Sequence, residues 1–245
     1  MPIIMTEKKM RPRDARDFYP TPIGLIEAVL EQVDTRALDG HSRVLKILDP
    51  GAGLGVWGFA ARKRWPQSQV TGLEYYLTER PPFYGDWLIQ DYTKSTLPDQ
   101  SFDIVMGNPP YKFAEAFLRQ ALRQSRRHVL YLLRLGFLEG QDRMRGLWHN
   151  HPPTRVWVLG KRPSFTGNKK TDATAYAMYL WDKLDPQRYP FDWLDWDYYD
   201  PMDLWAPHVS HDEDRVADLD ELRTYIWEQA YEYTGQRRPQ EAAVR

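Results

Sequence analysis

Asn108-Pro109-Pro110-Tyr111 follows directly on the apolar run Ile104-Val105-Met106-Gly107. Such a run reads as the end of a buried strand. Two consecutive prolines forbid both strand pairing and helix, so the chain must leave in a stiff, extended loop. An amide side chain, fixed carbonyls and an aromatic ring on rigid backbone are suited to gripping a flat polar ring that carries an amino group. Three acids hold comparable positions. Asp49 closes the strand Val44 to Leu48, Glu74 ends the strand Gln69 to Glu74, and Asp91 follows the short strand Trp87 to Gln90, with Asp86 a nearby rival. Open α/β sheets place their ligands at the carboxyl ends of strands, so Asp49, Glu74, Asp91 and Asn108 would line one cleft.

The segment after the first strand, Asp49-Pro50-Gly51-Ala52-Gly53-Leu54-Gly55, runs into a helix from Val56 to Arg64. Its glycines let backbone approach a ligand closely while amides at the helix start point toward it. Gly53-Leu54-Gly55-Val56-Trp57-Gly58 also satisfies the dinucleotide fingerprint G-x-G-x-x-G, with Glu74 placed as a ribose-binding acid, so an NAD-linked oxidoreductase is one reading. Asp49 argues against it, because a carboxylate there would repel a pyrophosphate and attract positive charge.

The remaining elements position these residues. Thr6 to Arg16 is basic and almost free of apolar side chains, and reads as a flexible arm. Phe18-Tyr19-Pro20-Thr21-Pro22 then introduces a helix with Thr21 as N-cap, Pro22 at its first position and Leu25, Ile26, Val29, Leu30 and Val33 on one face. Phe113 to Leu122 is amphipathic, with Arg119, Arg123, Arg126 and Arg127 on its polar side, and His128 reads as a surface residue before a fifth strand, Val129 to Leu133. Arg155 to Leu159 and Ala175 to Trp181 form a β-hairpin whose loop gathers Lys161, Arg162, Lys169 and Lys170 around Phe165. That composition suits phosphates and an unstacked base. Beyond Leu184 acids and aromatics mix without clear period, and Asp218 to Tyr231 reads as a terminal helix. The expected organisation is a basic arm over 1–16, a catalytic domain over 17–184 and an acidic, aromatic-rich extension over 185–245.

Bulk properties agree with this plan. The 245-residue chain is long enough for a sizeable core, and its formal charge of -1 hides an asymmetry. Residues 1–170 hold 26 Lys and Arg against 17 Asp and Glu, whereas residues 171–245 hold 7 against 17. A basic body with an acidic appendage suggests a polyanionic partner. No run approaches the roughly 20 apolar residues of a membrane span, and cysteine is absent, which excludes disulfides, thiolate zinc sites and cysteine nucleophiles. A soluble cytoplasmic protein is expected.

Asn108-Pro109-Pro110-Tyr111 resembles the catalytic motif of S-adenosylmethionine-dependent amino-group methyltransferases, most closely the DNA adenine-N6 methyltransferases. The resemblance spans residues 17–183, with the donor motif first and the catalytic motif second. It implies the Rossmann-like class I methyltransferase fold: α/β, with a doubly wound, mostly parallel seven-stranded sheet ending in a β-hairpin, here followed by a small extension. It implies S-adenosylmethionine as cofactor, held by Tyr19, Pro20 and Thr21 at its methionine end, Asp49, Gly51 and Gly53 in the glycine loop, Glu74 at the ribose, Asp91 at the adenine and Asn108. It assigns Asn108, Pro109, Pro110 and Tyr111 to catalysis, Phe165 to an extruded adenine, and Lys161, Arg162, Lys169 and Lys170 to DNA, with no metal. The partner it implies is DNA, with RNA open. The same tetrapeptide occurs in RNA-adenine and protein-glutamine methyltransferases, and a catalytically inactive nucleic-acid-binding module is a further reading. One departure from the family is the lack of a substantial separate target-recognition domain.

Overall fold

Ile47-Leu48, Ile104-Val105-Met106 and Val129 to Leu133 are too short for helices and apolar on both sides, as a central parallel strand must be. In the computed structural model, which describes residues 20–35, 44–165, 173–185, 189–194, 223–224 and 226–228, these runs lie side by side. The strands are β1 (Lys46–Pro50), β2 (Gln69–Glu74), β3 (Asp86–Ile89), β4 (Phe102–Gly107), β5 (Ser125–Arg134), β6 (Arg155–Leu159), β7 (Tyr176–Asp182) and β8 (Tyr189–Leu194). They form one sheet in the order β3-β2-β1-β4-β5-β7-β6-β8. β1 to β5 are parallel, and β7 lies antiparallel between β5 and β6. β1 has β2 on one side and β4 on the other, so the winding reverses there and the carboxyl ends of β1 and β4 diverge around a crevice.

Helices cover both faces. Ile47, Ile104, Leu130 and Leu132 share a core with Leu25, Ile26 and Val29 of α1 (Ile23–Glu31) and with Ala60 and Ala61 of α2 (Val56–Arg64). Leu48, Val105, Val129 and Tyr131 alternate onto the opposite face, against Phe117, Leu118 and Ala121 of α3 (Ala114–Gln124). Each Leu or Ile so buried contributes about 1.5–3 kcal/mol. Among the described residues no helix is long and apolar enough to cross a membrane.

Several expectations need correction. The seven strands expected are present as β1 to β7, and the sheet carries an eighth, β8, at its edge. β8 pairs parallel with β6, and it belongs to the stretch read as an aperiodic extension. Its Pro190 is compatible with an edge position, where a missing N–H removes no ladder bond. α3 ends at Gln124, so Arg126 and Arg127 belong to β5 and not to a solvated helix face. Arg126 pairs with Asp103 at 3.0 Å, and Arg127 grips both carboxylate oxygens of Asp182 at 3.1 Å. His128 is fully buried, not superficial, with Nε2 3.2 Å from Asp182 Oδ2. Between β5 and β6 the chain makes short turns of 3₁₀-, α- and π-helix.

Candidate active site

The glycine loop is set by backbone geometry. Gly51, Gly53 and Gly55 all have positive φ. At Gly55 the constraint is double, since a Cβ would stand 2.7 Å from the Phe83 ring on backbone of φ +86°. The amides of Gly51 and Ala52 both donate to the Leu73 carbonyl, at 2.7 and 3.1 Å, tying the end of β1 to the end of β2. Glu74 completes this tie. Its Oε2 accepts from the Gly53 amide at 2.9 Å, and its Oε1 from the amides of Tyr75 and Tyr76 at 2.8 and 3.0 Å.

These residues wall a cavity of ≈ 260 Å³. Pro20 and Thr21 border it ahead of α1, residues 51–54 at the loop, and Glu74 at the end of β2. Asp91, Asn108 and Pro110 complete it from the ends of β3 and β4. Asp91 accepts from the backbone amide and the hydroxyl of Thr93 at 2.9 and 2.7 Å, fixing its carboxylate at the start of a 3₁₀ turn. The Thr93 hydroxyl, more than the Thr93 amide and Lys94, holds its pKa below the usual carboxylate value. The rival Asp86 is exposed, bonded to Gln69, and takes no part in the cavity wall.

Thr21 is not an N-cap. α1 starts after Pro22 with no side-chain cap, and the buried Thr21 hydroxyl accepts from Trp57 Nε1 at 3.1 Å, joining the segment before α1 to α2. Asp49 also departs from expectation. Strand alternation sends its side chain to the face of Ile47, behind the glycine loop, where it is fully buried and absent from the cavity wall. There Oδ2 accepts from the Tyr84 hydroxyl at 2.5 Å, while Oδ1 has no hydrogen-bond partner among the described residues. Burial, reinforced by Glu74 and only partly offset by Tyr84, pushes its pKa up to about 7.

Asn108-Pro109-Pro110-Tyr111 forms a partition. Asn108 and Pro110 face the first cavity and Pro109 is buried, whereas Tyr111 walls a second cavity of ≈ 540 Å³. The Pro110 carbonyl accepts from the Phe113 amide at 2.8 Å, which closes the turn after the motif. The Tyr111 ring lies 5.6 Å from Tyr176, with the Arg134 guanidinium 4.7 Å from its centroid. Phe165 does not reach either cavity. It is buried, 5.1 Å from Tyr176 and nearly perpendicular to it, so it backs the ring that backs Tyr111. Lys161 and Arg162 are exposed just past β6. Tyr19, Lys169 and Lys170 lie outside the described residues.

Sequence reasoning missed three aromatics. Tyr75 and Tyr76, 59% and 62% exposed, stack edge to face at 4.8 Å on the wall of the first cavity, together with Phe113. The signal was present: two rings directly after a strand-end acid have little reason to face water unless something covers them. Among the described residues no group of three or more acids and histidines could hold a metal ion.

Neither a protein-family model nor a curated protein sequence matches the chain. Solved structures do match. One, described as a predicted O-methyltransferase from Agrobacterium tumefaciens, is 18% identical over 75% of this chain and 96% of its own, with a TM-score of 0.50. Another, a magnesium protoporphyrin IX methyltransferase from Synechocystis, is 13% identical over 65% of this chain and 80% of its own, with a TM-score of 0.43. With the strand order and the antiparallel β7, the first likeness places this chain in the Rossmann-like class I methyltransferase fold.

Proposed function

We propose that this protein transfers a methyl group from S-adenosylmethionine to the exocyclic N6 amine of adenine in DNA. The carrying observation is the partition: Asn108 and Pro110 border a cavity that also holds Glu74 and Asp91, while Tyr111, two residues on, walls a separate one. A donor and a planar acceptor can thus occupy opposite sides of one four-residue loop.

The first cavity suits the donor by the chemistry of its wall. Glu74 spends about three of its four lone-pair sites on backbone amides and keeps one, on Oε2, for a ribose hydroxyl. Asp91 is held ionised as an acceptor for an amino group, and the exposed Tyr75 and Tyr76 rings offer apolar cover. Bound there, the donor supplies an activated methyl group on a sulfonium sulfur. The chain's own residues prepare the acceptor. An adenine amine is a poor nucleophile because its lone pair is delocalised into the ring. Hydrogen bonds from it to the Asn108 side-chain oxygen and the Pro109 carbonyl favour tetrahedral nitrogen and free that lone pair. Tyr111, braced by Tyr176 and Phe165, holds the ring in plane. Positioning two bound reactants supplies much of the acceleration, and extruding the base from a duplex costs a few kcal/mol.

Incubating the protein with plasmid DNA and methyl-labelled donor, then mapping modified bases, tests the reading. Label on adenine N6 is expected, with Asn108→Ala losing transfer by at least about 100-fold, in line with loss of a positioned catalytic group, while donor binding stays within about twofold. Label appearing only on RNA or on protein amides would replace DNA as the substrate, and joint loss of transfer and donor binding would make Asn108 structural.

A further inference from the structure

The cavity beyond Tyr111 carries a charge pattern that methyl transfer alone does not require. Its wall includes three cations, Lys112, Arg134 and Arg143. Lys112 and Arg143 have no acidic partner among the described residues. The exposed Lys112 ammonium stands 5.5 Å over the Phe113 ring. Arg143 donates through Nε to the Glu139 carbonyl at 2.8 Å and lies 4.9 Å from the centroid of Phe137, which fixes the guanidinium and leaves its terminal nitrogens for another acceptor. Glu139, whose carboxylate sits beside Gly136 on the rim, pairs with neither. Arg134 lies over the Tyr111 ring itself. Lys112 and Arg143 share one concavity with no acid among the described residues against either, and an anion placed between them relieves their repulsion. At ≈ 540 Å³ the space is that of a nucleotide-sized group, not a lone ion.

We propose that this cavity is an anion subsite that seats the phosphodiester flanking the acceptor base, with Lys112 and Arg143 gripping its oxygens beside the base positioned at Tyr111. The inference rests on the proposed reading of the acceptor as a nucleic-acid adenine, and deepens it: the enzyme would select a base within a polynucleotide over free adenine. Arg143 presents a planar fork to the phosphate, and Lys112 adds a point charge.

The test uses the full chain and oligonucleotides containing the site mapped on plasmid DNA. One carries ordinary phosphodiesters on both sides of the target adenine, the other uncharged methylphosphonates there. The wild-type protein is expected to show a KM about 10-fold lower for the charged oligonucleotide. The Lys112→Ala/Arg143→Ala variant should lose that preference, lower the slope of log KM against log salt by about one per lost phosphate contact, and keep kcat and donor affinity within about twofold. Lys112→Arg/Arg143→Lys should restore most of the preference, which a merely structural role would not predict. If the alanine variant keeps the wild-type preference and salt slope while still methylating adenine, the subsite is wrong and the functional reading stands. If the wild-type protein methylates no adenine in plasmid DNA, the functional reading falls and this inference falls with it.

Discussion

Asp49 shows how one residue can matter to a site without touching it. An ordinary aspartate titrates near 3.9, and in the fold this one is pushed up to about 7 by burial and by Glu74. The folded state therefore holds the proton more tightly than the unfolded chain. Asp49's contribution to stability is present in full below about pH 4 and is lost as pH rises through 7. Asp49→Asn keeps an oxygen for the Tyr84 hydroxyl and removes the titration. Its unfolding free energy relative to wild type should rise by a few kcal/mol between pH 4 and pH 8, as measured by denaturant unfolding at both ends; a flat difference would mean that the carboxyl is solvated in solution. The position of Asp49 at a strand end was legible in the sequence, because Pro50 and the glycines punctuate an apolar run. The face its side chain takes was not, since a shift of one residue reverses it. Phe165 is a similar case. Its basic surroundings in the sequence suggested a base contact, but the neighbour that decides its place, Tyr176, lies across the hairpin.

Among the elements, β5 and β7 join the parallel half of the sheet to its antiparallel edge, and their shared end is fastened by charge. Arg127 and His128 on β5 converge on Asp182 on β7, with Arg127 and Asp182 only 7% and 8% exposed. Burial alone would raise the Asp182 pKa, but His128 and Arg127 outweigh it and hold the carboxyl well below its usual range. Its stabilisation is thus present above about pH 4 and is lost as pH falls below that. Asp182→Asn leaves a buried guanidinium with a neutral partner and should destabilise the fold at pH 7 by about 3 kcal/mol or more. Unfolding curves at pH 7 and pH 3 would check this, because the variant's deficit should shrink in acid. Both strands were legible from their apolar runs, but the fastening was not: Arg127 and His128 read as surface groups while their acid lay 55 and 54 positions away. β8 escaped for a related reason, since the acids and aromatics around it obscured any alternation, and only pairing with β6 identifies it as a strand.

At the scale of the whole molecule, residues 223–224 and 226–228 come back to the side of the sheet that carries the glycine loop. Ile226 is buried in the core formed by α1, α2 and β1, and Arg223 lies 3.5 Å from Glu79, just past the paired tyrosines. Trp227 Nε1 donates at 3.3 Å to the carbonyl of Leu54, a residue of the glycine loop that lines the first cavity. Residues read as an acidic appendage thus brace the loop proposed to hold the donor. Trp227→Ala removes both the ring and the hydrogen bond from a half-buried site, at about 1–2 kcal/mol, less than a fully buried aromatic. If the brace preorganises the loop, part of that loss should appear as a rise of about 3- to 10-fold in the donor's Kd. Trp227→Phe, which keeps most of the packing, should lie between the two. Calorimetric titration of donor into all three proteins, paired with melting curves, separates the possibilities. A lowered Tm with unchanged donor affinity would make Trp227 a packing residue only, whereas a weakened affinity in both variants would tie donor binding to the brace that Trp227 makes on the glycine loop.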